Sequence, residues 1–138
     1  MVALALLVAA VVGALCVLHL YWGLGGRWGH TAALPERDHA PAFEPGAVAT
    51  LLVAALLAMA ALVILGRVGI GPLAGGSRLT RIAARVVALA FLLRAVGDFR
   101  LVGLFRRVRD TRFARLDRVL YTPTSLALGI AAAIIAAG

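Results

Sequence analysis

Residues 46–65 read GAVATLLVAALLAMAALVIL, twenty positions without a charge. A helix rises about 1.5 Å per residue, so a run of about 20 apolar residues matches the ~30 Å hydrocarbon core of a bilayer. Three further stretches have that length. Residues 2–21 are uncharged until His19, residues 119–138 are uncharged, and residues 80–101 are apolar but carry charges. Backbone polar groups in lipid need partners within the chain, so helices are the expected form. The period-two alternation of a membrane barrel is absent. These runs predict an all-α, polytopic membrane protein. Its single domain, 1–138, is a bundle of four transmembrane helices at about 2–21, 46–65, 80–101 and 119–138.

Composition agrees. Of 138 residues, 63 % are hydrophobic and 14 % charged, against roughly 45–50 % and about 25 % in soluble domains. So short a soluble chain could not hide this much apolar surface. An ordinary soluble enzyme, a disordered segment and a disulfide scaffold are thereby excluded. Cys16 is the one cysteine and lies in an apolar run as a small hydrophobe. Leu15 before it is too large for a lipoprotein acceptor site. Residues 2–21 lack a basic start and exceed the usual apolar length of a cleaved signal peptide.

All fourteen basic residues are arginine, and the net charge is +8. The arginines lie between apolar runs, so the expected anionic partner is the lipid headgroup layer and not nucleic acid. Alternating helices put loop 1 (22–45) and loop 3 (102–118) on one face, with glycine-rich loop 2 (66–79, GRVGIGPLAGGSRL) and both ends on the other. Nine arginines, from Arg27 and Arg37 to Arg100 and Arg118, mark the loop 1/loop 3 face, which the positive-inside rule places in the cytoplasm. Alanine and glycine allow close helix approach in lipid, as at Ala54/Ala58 and Gly129/Ala133.

The residues able to do chemistry gather at the loop 1/loop 3 end. The first helix ends in HLYWGLGGRWG (19–29). His19 and Trp22, three apart, share a helix face, while Tyr21, Trp22 and Trp28 have the amphipathic character of interfacial anchors. Arg94 lies about four residues, or about 6 Å, from the centre of a helix over 80–101. A charge at that depth costs at least about 2.5–3.5 kcal/mol on insertion scales. Asp98, four residues on, would share its face, so an Arg94–Asp98 pair is expected. Such a pair is either a functional site or a structural tie between helices.

In loop 3, FRRVRDTRFARLDRVLYTP (105–123), Arg106, Arg109, Arg112, Arg115 and Arg118 recur every third residue. On an α-helix they would spiral instead of forming a stripe, and Asp110, Thr111 and Asp117 do not suit lipid, so a voltage sensor is not expected. Arg106, Arg107, Arg109, Arg112 and Arg115 read as headgroup or anion contacts, worth roughly 1 kcal/mol each near an anionic surface. His19, His30 and His39 lack metal-ligand spacing and no cysteine pair supports them, so no metal or cofactor is expected. Ser77 and Ser125, the only serines, lie in no nucleophile elbow. Any catalysis would use His19, Asp98, Tyr121 and arginines for proton transfer or electrostatic stabilisation.

Taken together, HLYWGLGGRWG, LLRAVGDFRLVGLF (92–105) and RDTRFARLDRVLYTP (109–123) resemble a family of small four-helix bacterial membrane proteins, a domain of unknown function. The matching positions are His19, Tyr21, Trp22, Gly25, Gly26, Trp28, Pro35, Arg94, Gly97, Asp98, Phe99, Thr111, Phe113, Asp117 and Tyr121. The resemblance covers nearly the whole chain. It implies a multi-pass protein of the bacterial plasma membrane and supplies no activity.

These readings converge on a polar pocket at the loop 1/loop 3 end. Arg94 and Asp98 would form its floor, His19, Trp22 and Tyr121 its walls, and Tyr21, Trp28, Thr111 and Asp117 would complete it, with loop 1 as a lid. A lipid-like or anionic amphipathic ligand suits such a pocket. A small dimeric transporter and a structural subunit of a membrane complex are the alternatives, and a homo-oligomer is compatible with each.

Overall fold

The computed structural model describes residues 1–38 and 40–138; His39 lies outside them. The chain is mostly helical. Helix α1 spans Val2–Gly23, the short α2 His30–Ala33, α3 Ala47–Arg67 and α4 Arg78–Val96. The last helical stretch, Arg112–Ala137, is continuous and has three parts: α5 (Arg112–Leu116), a π-helical turn (Asp117–Tyr121) and α6 (Thr122–Ala137). Counting that stretch as one gives five helices among the described residues, not the expected four, and two-residue strands also correct the all-α expectation. Glu36–Arg37 (β1) pairs antiparallel with Ala40–Pro41 (β2) in loop 1.

Three helices are long and apolar enough to cross a membrane: Val2–Gly23, Ala47–Arg67 and Arg112–Ala137. The 19-residue α4, with Arg78, Arg81, Arg85 and Arg94, is not among them. Large apolar side chains nevertheless project outward along all four long helices, among them Leu7, Leu56, Val86 and Ile130. A soluble monomer rarely exposes so much contiguous apolar surface.

Element boundaries depart from the hydrophobic runs mainly around the charged segments. Helix α4 stops at Val96 because Gly97, at φ 84° and ψ −168°, leaves the helical region for a conformation that only glycine adopts readily. Asp98 therefore lies outside the helix that was expected to reach residue 101, and Arg94 falls in its last turn. The final helix starts seven residues before the expected 119. Thr111 caps it, its Oγ1 accepting the Ala114 N–H at 3.1 Å, a side-chain bond that satisfies a donor otherwise orphaned at a helix start.

Helix α1 lies along α3, and α4 along α6; contacts between the two pairs are lighter. Small residues make the pairs close. Ala5, Ala54, Ala84 and Ala132 are completely buried, and a Cβ on Gly129 would lie 2.7 Å from Leu92 Cγ. Lipid removes the hydrophobic drive for helix association, so close packing of small residues carries it. Ala54 and Gly129 thus face neighbours as expected, whereas Ala58 and Ala133 are exposed. Most of the apolar core, including Val8, Val12, Val63, Ile64, Ala88 and Ile135, lies toward the loop 2 end. The loop 1/loop 3 end is held differently, by charge.

Candidate functional site: a buried ion triad beneath an arginine-lined cleft

Asp117 is the centre of that end. It is completely buried, and both carboxylate oxygens are engaged. Oδ1 accepts from Arg94 Nη2 at 2.8 Å. Oδ2 accepts from the Gly103 N–H at 2.8 Å and from Arg106 Nη1 at 3.1 Å. Arg106 Nη1 also donates to the Gly103 carbonyl at 2.6 Å. The Arg106 side chain is only 8 % exposed, that of Arg94 35 %. A buried charge is tolerable when paired and hydrogen-bonded, and Asp117 meets both conditions. The triad carries a net charge of +1.

Local sequence explains how the three groups meet. Phe113, four residues before Asp117, is buried on the same side of the helix. Gly97 and Gly103 let the chain cross itself tightly after α4. Both have positive φ, 84° and 89°, and a Cβ on Gly97 would overlap the Val102 carbonyl. That crossing delivers the Gly103 N–H and Arg106 to Asp117. The π turn at 117–121 precedes Pro123, which has no N–H and whose ring would crowd the carbonyl four residues back. A π turn shifts the hydrogen-bond ladder: the Thr122 N–H donates to the Asp117 carbonyl, five residues earlier. Such turns recur at functional sites.

The expected Arg94–Asp98 pair does not form. Asp98 instead organises the exposed turn after α4, its Oδ1 accepting from the N–H groups of Arg100, Leu101 and Val102 at 2.9, 2.7 and 3.0 Å. Burial pushes its carboxyl up in pKa, but the backbone N–H groups outweigh this and hold it below the ordinary 3.8.

The nine residues expected to form one pocket are divided. His19, Tyr21, Trp22 and Trp28 form a cluster at the end of α1. The Trp22 ring stands edge-on to His19 and His30, with centroids 5.2 and 5.7 Å apart. Trp22 Nε1 donates to the Trp28 carbonyl at 2.8 Å, and Tyr21 Oη accepts the Trp28 N–H at 3.4 Å. His19 Nδ1 lies 2.8 Å from the Leu15 carbonyl one turn back, so its ring is tied to its own helix. Tyr121 joins this cluster to the charged one: its hydroxyl donates to the Ala32 carbonyl at 3.0 Å and its ring packs against Phe113. Arg94 belongs to the triad and Asp98 stands apart.

An open cleft of about 310 Å³ lies over the triad instead, lined by Leu104, Arg106, Arg109, Ala114, Arg115, Arg118 and Thr122. None of the nine residues expected in the pocket borders it. Of the five arginines read as anion contacts, Arg106, Arg109 and Arg115 line it; Arg107 and Arg112 are exposed elsewhere. Arg118 and Thr122 are additions. Their signal is the spacing 115, 118, 122, one face of a helix that begins earlier than the apolar run implies. Among the described residues no group of three His, Cys, Asp or Glu side chains could hold a metal ion.

Neither a curated protein nor a solved structure matches this chain. A family does, over residues 12–132, a range that includes α3, α4, the whole triad and the cleft. The chain belongs to the family described as proteins of unknown function, DUF3995.

Proposed function

We propose that this protein is a four-span protein of a bacterial plasma membrane, and that it binds an anionic amphipathic ligand in the cleft over the triad. The cleft carries the reading. Four arginines border it, no acidic residue does, and Leu104 and Ala114 supply apolar wall beside them. Arg106 is offset by Asp117, which leaves Arg109, Arg115 and Arg118 as uncompensated positive charge at the level where the uncharged run 119–138 begins. An anionic head can meet the arginines while its tail follows the apolar helix into the bilayer.

Two observations support α4 as the fourth span. It lies along α6, and Arg94 is paired with Asp117. Arg78, Arg81 and Arg85 occupy its first turns, from which long side chains reach the interface. With four spans, loops 1 and 3 share one face, which the arginine count places in the cytoplasm. A proton-coupled transporter is less well supported. Asp117 is the acid buried within a long helix, and both of its oxygens are already taken by three donors.

Native mass spectrometry of the protein released from neutral detergent tests the reading. Anionic phospholipid should stay bound to the wild type and be lost from the Arg109→Gln/Arg115→Gln/Arg118→Gln variant. Equal retention of anionic and zwitterionic lipid by both proteins would refute it.

A further inference from the structure

Two polar atoms in the wall of this cleft are buried and have no hydrogen-bond partner: Arg106 Nε and Thr122 Oγ1. Neither is easily dismissed as surface. The Arg106 side chain is 92 % buried, the complement of its 8 % exposure, and Thr122 is 2 % exposed. Leaving a buried donor unsatisfied costs about 1–3 kcal/mol, so such groups usually mark a site for a water, an ion or a ligand.

Thr122 has a structural reason to be free. A threonine inside an α-helix commonly turns its hydroxyl back to the carbonyl three or four residues earlier. Here the π turn has displaced that ladder, and the Thr122 N–H reaches back five residues instead. Its hydroxyl is left with no acceptor on its own helix. Arg106 is fixed from the other side, because Nη1 is occupied by Gly103 and Asp117. With Nη1 so held, Nε is left without a partner among the described residues.

From these observations we infer that the cleft takes a phosphate monoester head. This rests on the anionic-amphipath reading and narrows it. Charge decides against a monoanion. Arg109, Arg115 and Arg118 are uncompensated, and a phosphate monoester brings about −1.5 to −2 at neutral pH together with three acceptor oxygens. A carboxylate or a phosphodiester brings a single charge. The donors also come from opposite walls: Arg106 and Arg109 from the loop that crosses after α4, and Arg115, Arg118 and Thr122 from the helix. Donors spread in this way suit a tetrahedral group better than a planar carboxylate. One oxygen accepts from the Arg106 guanidinium and a second from the Thr122 hydroxyl, both of which turn toward the cleft to reach it, and the exposed guanidiniums close over the third. The chemistry is shared by a lipid headgroup such as that of phosphatidic acid and by free inorganic phosphate.

The test is binding to the intact, detergent-purified protein of dioleoyl phosphatidic acid, dioleoyl phosphatidylglycerol and inorganic phosphate. Phosphatidic acid should bind about tenfold tighter than phosphatidylglycerol. Thr122→Val should remove most of that preference, and Thr122→Ser, which keeps the hydroxyl, should retain it. If inorganic phosphate alone raises the melting temperature, with the same Thr122→Val sensitivity, while the two lipids bind equally, the site stands and free phosphate is its occupant. Equal lipid binding with no response to phosphate would overturn the phosphate assignment and leave the anionic-amphipath reading intact. Loss of all anion binding, with the triple arginine variant indistinguishable from wild type, would overturn both.

Discussion

Removing the Asp117 carboxylate should be the most damaging single change to a charge in this protein. Asp117→Ala takes away the acceptor of three hydrogen bonds and leaves two arginines without a counter-charge. The two arginines respond differently. Arg94, with 35 % of its side chain exposed, can turn toward the interface. Arg106 cannot, because the Gly97–Gly103 crossing packs it in and only 8 % is exposed. Breaking a buried ion pair from one side costs about 3–5 kcal/mol, most of it the stranded charge. The Gly103 N–H loses its acceptor as well, at about 1–3 kcal/mol when left dry. Partial rewetting of Arg94 offsets part of this, and a net loss of about 3–5 kcal/mol is expected. Asp110 is exposed and makes no hydrogen bond of its side chain among those described, so Asp110→Ala should stay within about 0.5 kcal/mol. Reversible unfolding in mixed micelles compares the two. Adding Arg106→Met to Asp117→Ala should recover much of the loss, because the stranded charge goes with it. Equal, small effects of the two aspartate substitutions, or no recovery in the double variant, would refute the stranded-charge reasoning.

Three further outcomes follow from the same structure. The Asp98 carboxyl is held below its ordinary pKa in the folded chain, so its stabilisation is complete above the unfolded value of about 3.9 and is lost as pH falls through the folded one; pepsin cleavage near Phe99 should rise relative to the Asp98→Asn variant as pH drops from 4 to 2, and parallel profiles would contradict this. Gly97→Ala should cost about 1–3 kcal/mol from its positive φ alone, with the Val102 overlap added, whereas Gly13→Ala, with open space at its Cβ, should be neutral or stabilising; equal yields of folded, monodisperse protein would argue against the crossing. In intact cells a membrane-impermeant thiol reagent should label Ala74→Cys in loop 2 but not Asp110→Cys in loop 3, and the opposite pattern would invert the orientation.

The apolar runs at 2–21 and 46–65 reproduce α1 and α3 to within about two residues, because span length follows from hydrophobicity alone. Charged segments were less legible. The LLRAVGDFR stretch keeps an apolar appearance past the point where α4 ends, and Gly97 was the available stop signal. Missing it placed Asp98 on a helix and paired it with Arg94. The true partner is 23 residues away in sequence, a separation that no helical spacing predicts. Thr111, followed three residues later by Ala114, was readable as an N-cap and would have moved the last helix's start from 119 to 112. Nothing in RLDRVLYTP announces a π turn apart from Pro123, and without that turn neither the burial of Asp117 nor the idle hydroxyl of Thr122 can be foreseen. The arginine density of loop 3 was legible, but which of its arginines share a cleft depended on helix rotation.

The Arg94–Asp117 bond also sets an order of events during synthesis. On the four-span reading, α4 leaves the ribosome with four arginines and no acid to offset any of them, and is a poor candidate to partition into lipid alone. Its counter-charge is translated 23 residues later, about 1–5 s at typical elongation rates of 5–20 residues per second. For that interval α4 has to wait at the translocon or the membrane surface, and it enters the bilayer as one arm of a hairpin with the final helix. A chain truncated after Leu101 should therefore leave α4 open to protease at the membrane surface while α1 and α3 stay protected. On that reading the final helix is the insertion partner of the segment that precedes it, and a lesion at Asp117 becomes a defect of biogenesis before it is one of stability.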